Sequence, residues 1–155
     1  MSNYNVSGKE FIRRTLDIFN ERQRKYPVTA MINIGFCIIV MAHEVCDAKL
    51  KDATINLEDY GITSGNLTKC DDERGNEKRS FDNIIRHLRN SIAHWDFKYN
   101  LSGERIKEIY FEDKTENQIN FRILFSDTDF KNFVNSLGEY LLTTGFDDSK
   151  ISTML

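Results

Sequence analysis

The sequence holds one proline and one tryptophan in 155 residues. With a single proline, helices can run uninterrupted over most of the chain, since proline is the residue that most often breaks them. Only three cysteines are present, Cys37, Cys46 and Cys70, and their spacing shows no pair pattern. That excludes a disulfide scaffold and fits a reducing cytosol. There is no surplus of positive charge either. With 21 Lys and Arg against 24 Asp and Glu the formal net charge is −3, which excludes a polybasic nucleic-acid coat. Any anionic partner has to be held by a local cluster of charge. The longest apolar run, Ala30 to Ala42, is interrupted by Asn33 and reads as too short to span a bilayer. Met1–Glu10 lacks the charged and then apolar pattern of a signal peptide. The expectation is a cytoplasmic protein without a membrane partner. The length fits one domain over 1–155, with 146–155 a frayed tail. A domain of this size buries roughly 68–70% of the surface of its unfolded chain, so it needs no staple.

What is present is mostly helical periodicity. Ser7–Lys25 reads as a first helix, capped by Ser7 with Glu10 three residues on. Its inner side is expected to carry Phe11, Thr15, Ile18 and Phe19, flanked by Leu16, with Arg13, Arg14, Arg22, Arg24 and Lys25 outside. Val28–Ala48 is apolar nearly all round and is predicted to be the central buried helix, although its β-branched residues also permit a strand. Lys49–Lys78, with Gly61, Gly65 and Gly75, reads as loops with short helical turns. A third helix is predicted from Ser80 to about Trp95. Arg105–Glu112 and Gln118–Phe125 alternate apolar and polar residues around Asp113–Asn117, a hairpin signal. Ser126, with Asp129 at the N3 position, opens a last helix carrying Phe130, Phe133, Val134, Leu137, Tyr140 and Leu141. The fold class expected is mainly α, with four to five helices and a small β-hairpin before the last one.

The third helix is divided unusually. At about 100° per residue, Phe81, Ile84, Ile85, Leu88, Ile92 and Trp95 form one apolar stripe. Opposite it stand Arg86, Arg89, Asn90, Ala93 and His94. Two arginines, an amide and an imidazole around a small alanine suit a phosphate and a proton transfer better than they suit a Lys/Glu solvation face. The plainer alternatives are solvated arginines and a histidine capping the helix dipole. His87 falls at the margin of this face and is not assigned to the site.

The string Arg-His-Leu-Arg-Asn-Ser-Ile-Ala-His-Trp at 86–95 resembles the signature of the HEPN superfamily, an Arg and a polar residue followed by a His near a helix end. The resemblance extends to Phe-Ile-Arg-Arg-Thr-Leu at 11–16, Thr-Ala-Met-Ile-Asn at 29–33, Glu44, Ile109–Asp113 and Asp129–Phe133, as in a plasmid- and mobile-element-associated branch. It implies an antiparallel helical bundle that dimerises across the motif helix, with RNA cleavage as the activity. The partners it implies are an RNA substrate, a second copy of the chain and an antitoxin or regulator protein, in a toxin or phage-defence setting. In HEPN toxins silenced by nucleotidyltransferases a Tyr often stands two places after the motif His. Here that place is Asp96, so AMPylation at that position is not available.

Metal-free RNA hydrolysis needs a base for the 2′-OH, charge stabilisation at the phosphorane and an acid for the 5′-oxygen. His94 is the proton carrier expected near neutral pH. The Arg89 fork grips two phosphate oxygens, and Arg86 adds a second positive contact. Asn90 orients a phosphate oxygen or the imidazole. In a dimer the two copies of His94 divide the base and acid roles. The expected catalytic set is Arg89, His94 and Asn90, the phosphate-binding set is Arg86 and Arg89, and no metal or other cofactor is expected. The alternative is a non-catalytic HEPN dimer that binds RNA, a nucleotide or a protein partner.

Other candidates read less well. His43 and Cys46 sit one helical turn apart, with Cys70 as a third metal ligand, but cysteines in an apolar helix are mostly inert. Asp71, Asp72 and Glu73 read as a solvated loop. Asn33, an amide in an apolar helix, needs a hydrogen-bond partner: the plainer reading is a backbone or interhelical bond, the sharper one support for the motif helix.

Overall fold

The long alternations of the C-terminal half build more sheet than a hairpin. In the computed structural model, residues 8–21, 27–51 and 53–144 are described, with side chains at 46–48 left aside. The elements run α1 Gly8–Phe19, α2 Pro27–Lys51, a 3-10 turn Leu57–Tyr60, β1 Leu67–Cys70, α3 Phe81–Ala93, β2 Phe97–Ser102, β3 Arg105–Thr115, β4 Gln118–Ser126 and α4 Asp127–Thr143. The strands form one antiparallel sheet in the order β1-β4-β3-β2. This corrects the expected mainly α bundle with a small hairpin: the fold is mixed, with the helices layered on one face of a four-stranded sheet. Two strands were hidden from the sequence reading. β1 has four residues, too few to display a period of two. β2 lies just past the motif, where the continuing apolar count reads as the end of a helix.

Alternation then sorts the sheet. Ile109 and Phe111 of β3 face the helices with Phe121, Ile123 and Phe125 of β4, and all five are fully buried. Phe130 and Phe133 of α4 complete this aromatic core, Phe133 stacking on Phe125 at 5.2 Å between centroids. Burial of a large side chain stabilises by about 1.5–3 kcal/mol, so these rings hold the two layers together. Ser126 caps α4 as its spacing indicates, its Oγ accepting from the Asp129 N–H at 3.1 Å. Where α1 crosses α4, a Cβ on Gly138 would stand 2.6 Å from Leu16, so only glycine permits the approach.

The first two helices depart from the expected faces. α1 ends at Phe19, and its buried side is Ile12, Thr15, Leu16 and Phe19, whereas Phe11 and Ile18 are exposed. Ser7, Arg22, Arg24, Lys25 and the tail 146–155 lie outside the described residues. α2 packs against α1, α3, α4 and β3. Contrary to the reading from run length, Pro27–Val45 is long and apolar enough to cross a membrane by length and composition, a test that core helices also pass. Its side toward solvent keeps Ile34, Phe36, Cys37, Val40 and Met41 only half-buried.

On the outer face of the sheet Glu112 collects three donors. Lys114 Nζ lies 2.8 Å from its Oε1, Arg122 Nη2 lies 2.9 Å from its Oε2, and the Tyr110 hydroxyl donates to the same oxygen. Burial pushes the carboxyl up, but the bonds from Lys114, Tyr110 and Arg122 outweigh it and hold the group down at about 2. The stability that Glu112 contributes is therefore present above the ordinary carboxyl range, near 4.3, and is lost as the pH falls from there toward 2. Melting curves of the wild type and Glu112→Gln should show a gap at pH 6 that narrows steadily as the pH is lowered from 4.5 toward 2. A gap of constant size across that range would contradict the assignment.

Candidate functional site

α3 is fixed at both ends. Ser80 takes an extended backbone (φ −80°, ψ 150°) at the N-cap, and Phe81, Ile84, Ile85 and Leu88 bury one side of the helix. At the other end His94 is the C-cap, and the chain turns through Trp95 in a left-handed conformation, φ 60°. The Trp95 N–H donates to the Ile92 carbonyl at 3.3 Å and the Asp96 N–H to that of Ser91 at 2.8 Å, the bonding pattern of a Schellman cap. Glycine usually occupies that turn, because a side chain there costs about 1–2 kcal/mol. This turn also corrects the predicted core stripe: Trp95 has left the helix and is 79% exposed, its indole stacked on Phe97 at 5.7 Å.

The polar face of α3 divides between two directions. Arg86, Asn90 and His94 line a cleft of about 690 Å³ between the Asp72–Gly75 loop and the β3–β4 turn. His94 is exposed, and its imidazole makes no hydrogen bond among the described residues. Arg89 turns the other way, toward α2, where its Nε donates to Glu44 Oε1 at 2.9 Å. Burial raises the Glu44 carboxyl, and hydrogen bonds from His43 and Arg89 more than reverse this, leaving it below the usual range. Arg89 Nη1 reaches Asn90 Oδ1 at 3.5 Å, the one link between the two directions. The structure thus brings Arg86, Asn90 and His94 together and sets Arg89 apart within one chain.

Beneath this face lies a buried polar tier that sequence reasoning missed. His87, placed at the margin by the helical wheel, is 2% exposed. Its Nδ1 lies 2.7 Å from Asp113 Oδ2, its Nε2 lies 2.7 Å from the Asp71 carbonyl, and its ring stacks on Phe121 at 4.9 Å. Asp113, read from the sequence as a turn residue, is the next inward-facing position of β3 after Phe111 and pairs with Phe121 across the strands. Asn90 Nδ2 also donates to Asp113 Oδ2, at 3.2 Å. Burial raises the Asp113 carboxyl, but hydrogen bonds from His87 and Asn90 bring it below its ordinary value. Asn83, also buried, donates to the Asp71 and Lys78 carbonyls and accepts from Arg86 Nη2 at 2.7 Å. The signal that could have found Asp113 was the continued alternation Ile109, Phe111, Asp113.

The remaining candidates fall apart in space. Asn33 is exposed on α2, where a polar residue needs no internal partner. Cys70 is buried, its thiol donating to the Lys78 carbonyl and pushed up to about 11 by burial. The side chain of Cys46 lies outside the described residues. Asp72 Oδ1 accepts from the Arg74 and Asn76 N–H groups, which closes its loop on itself. Among the described residues no three His, Cys, Asp or Glu side chains converge as a metal-binding group.

No curated protein and no solved structure matches the chain. A protein family does: residues 1–148 match the family described as HEPN pEK499 p136. The match spans α1 to the end of α4, including the whole Arg86–Trp95 segment and the β3 strand that supplies Asp113. The chain belongs to the HEPN pEK499 p136 family and with it to the HEPN superfamily.

Proposed function

We propose that this HEPN protein is a metal-independent endoribonuclease whose active site is completed at a homodimer interface. HEPN membership supports an RNA-related, nuclease-type or toxin-like role. The observation that carries the finer reading is His94: an exposed imidazole without a hydrogen-bond partner among the described residues, at the rim of a cleft shared with Arg86 and Asn90. An imidazole left unbonded and open to the cleft is what proton transfer to or from a sugar hydroxyl requires. The cleft volume lies in the range of small-ligand sites, about 300–1,000 Å³, and suits a nucleotide.

In this reading the 2′-OH of the RNA attacks the adjacent phosphorus. One His94 takes the hydroxyl proton and a second His94, from the partner subunit, gives a proton to the departing 5′-oxygen. The products are a 2′,3′-cyclic phosphate end and a 5′-hydroxyl end. Arg89 stabilises the dianionic phosphorane. Its bond to Glu44 uses only Nε, which leaves N–H groups of both Nη atoms for phosphate oxygens, and the carboxylate fixes the plane of the fork. Because Arg89 and His94 diverge on one chain, a twofold partner that brings its own motif helix alongside is what joins them. Two features support such pairing: Trp95 beside the motif, held out to solvent in a conformation that favours glycine, and the half-buried apolar side of α2. A toxin or phage-defence effector working in the cytoplasm, with an antitoxin or regulator as partner, is the setting that fits. The Arg89–Glu44 pair also favours a second reading, a HEPN dimer that binds RNA or a protein without cutting it, since it neutralises the motif arginine.

RNA cleavage by the purified protein is expected to persist in EDTA and to be abolished by Arg89→Ala and by His94→Ala, with little change in melting temperature. Both side chains lie outside the core, and such changes usually move stability by less than about 0.5 kcal/mol. Leu88→Ala, at a fully buried position, should cost about 2–5 kcal/mol instead. Wild-type cleavage by His94→Ala would remove the assignment, and strict dependence on a divalent cation would remove the mechanism. Light scattering should give a dimer for the wild type and a larger monomer fraction for Trp95→Ala. A wild type that is monomeric at micromolar concentration and still fully active would refute the shared site.

A further inference from the structure

The motif face accounts for Arg86, Arg89, Asn90 and His94 but leaves a histidine and an aspartate paired beneath them in the core. Burying charge is unfavourable unless it is paired and hydrogen-bonded, and an apolar pair of similar volume is often as stable. The details of the pair indicate its use. Both ring nitrogens of His87 stand 2.7 Å from oxygen atoms, Nδ1 from Asp113 Oδ2 and Nε2 from the Asp71 carbonyl. An ionised carboxylate can only accept, so Nδ1 donates to Asp113 Oδ2. His87 is thus a buried donor to the Asp113 carboxylate. Asp113 comes from β3, the Asp71 carbonyl from the segment after β1, the Phe121 ring from β4, and Arg86 from α3 itself. Arg86 Nη2 donates to Asn83 Oδ1 at 2.7 Å and also stands 3.2 Å from His87 Nε2, so that nitrogen lies between a guanidinium and a carbonyl.

The carboxylate is shared. Asp113 Oδ2 also accepts from Asn90 Nδ2 at 3.2 Å, which forces the Asn90 amide into one orientation with its carbonyl oxygen facing Arg89 Nη1. We propose that His87 and Asp113 are positioning residues for the motif: their buried hydrogen bond sets the orientation of the Asn90 amide and, through it, the place of the Arg89 fork. The role rests on the ribonuclease reading for its catalytic consequence, but not for its geometry. Asp113→Asn keeps the shape and removes the charge. An amide there can donate as well as accept, so it no longer requires two donors and Asn90 is free to turn over.

Two measurements on the intact protein test this separately from the reaction. In 15N spectra of the wild type, Nδ1 of the His87 ring should carry a slowly exchanging proton. The Asn90 side-chain amide, assigned by Asn90→Asp, should also exchange slowly and should shift in Asp113→Asn. A His87 ring without a proton on Nδ1, or Asn90 amide signals that Asp113→Asn leaves unchanged, overturns the proposal whether or not RNA is cut. Kinetics test the consequence: kcat should fall by about 10–100-fold in Asp113→Asn with KM nearly unchanged, as for displacement of a supporting contact. A kcat equal to wild type overturns the positioning role. If the wild type cuts no RNA, the ribonuclease reading fails and the 15N result alone decides the pair. If Asp113→Asn does not fold, the wild-type ring spectrum still decides it.

Discussion

A carboxylate placed on the inward side of a strand constrains everything built around it. Asp113 follows Ile109 and Phe111 on the helix-facing side of β3, buried but for an edge at the floor of the cleft. It therefore needs donors from α3, and His87 and Asn90 supply them. Those bonds fix the rotation of α3 about its axis and its distance from the sheet. With that rotation set, Arg86, Asn90 and His94 face the cleft while Arg89 faces Glu44 on α2. The apolar stripe of α3 gives burial energy but little orientational specificity, since hydrophobic contact is non-directional. The polar tier supplies the direction.

The end of α3 shows the same division between stability and use. A glycine at 95 would complete the Schellman turn without strain, and a small polar residue would suit the solvent there. The chain instead places its one tryptophan at that turn, left-handed and exposed, directly after His94. Strained backbone and exposed aromatic surface are both unfavourable for an isolated subunit, and strain of this kind clusters at functional sites. Their coincidence beside the motif is what a surface awaiting a partner would carry.

Legibility in the sequence followed the length and regularity of each signal. The helices, the two long strands and the Ser126 cap announce themselves by repeated periodicity, and the Arg86–Trp95 string carries the family resemblance. The four-residue β1 and the edge strand β2 have too little pattern to compete with a loop or a fraying helix, so the fold class was read as more helical than it is. The motif residues were legible because their types are unusual for a solvated face. The residues beneath them were not: His87 sits at a helical-wheel margin where a few tens of degrees decide between core and surface. Asp113 looks like turn chemistry until its partner strand fixes the register. The exposure of Asn33 was hidden for the opposite reason. Helical periodicity in an all-round apolar segment does not say which side faces out, and the exposed side of α2 is the one that carries it.

In the proposed reaction the RNA would supply its own nucleophile while His94 moves the proton and Arg89 holds the charge. The most direct measurement uses an oligoribonucleotide whose cleavage position has been mapped, compared with the same oligonucleotide carrying a single 2′-deoxy sugar on the 5′ side of that bond. The account predicts that the all-ribose strand yields a 2′,3′-cyclic phosphate end and that the substituted strand is uncut at that position. Cleavage of the substituted strand at the same bond, leaving a 5′-phosphate, would contradict it.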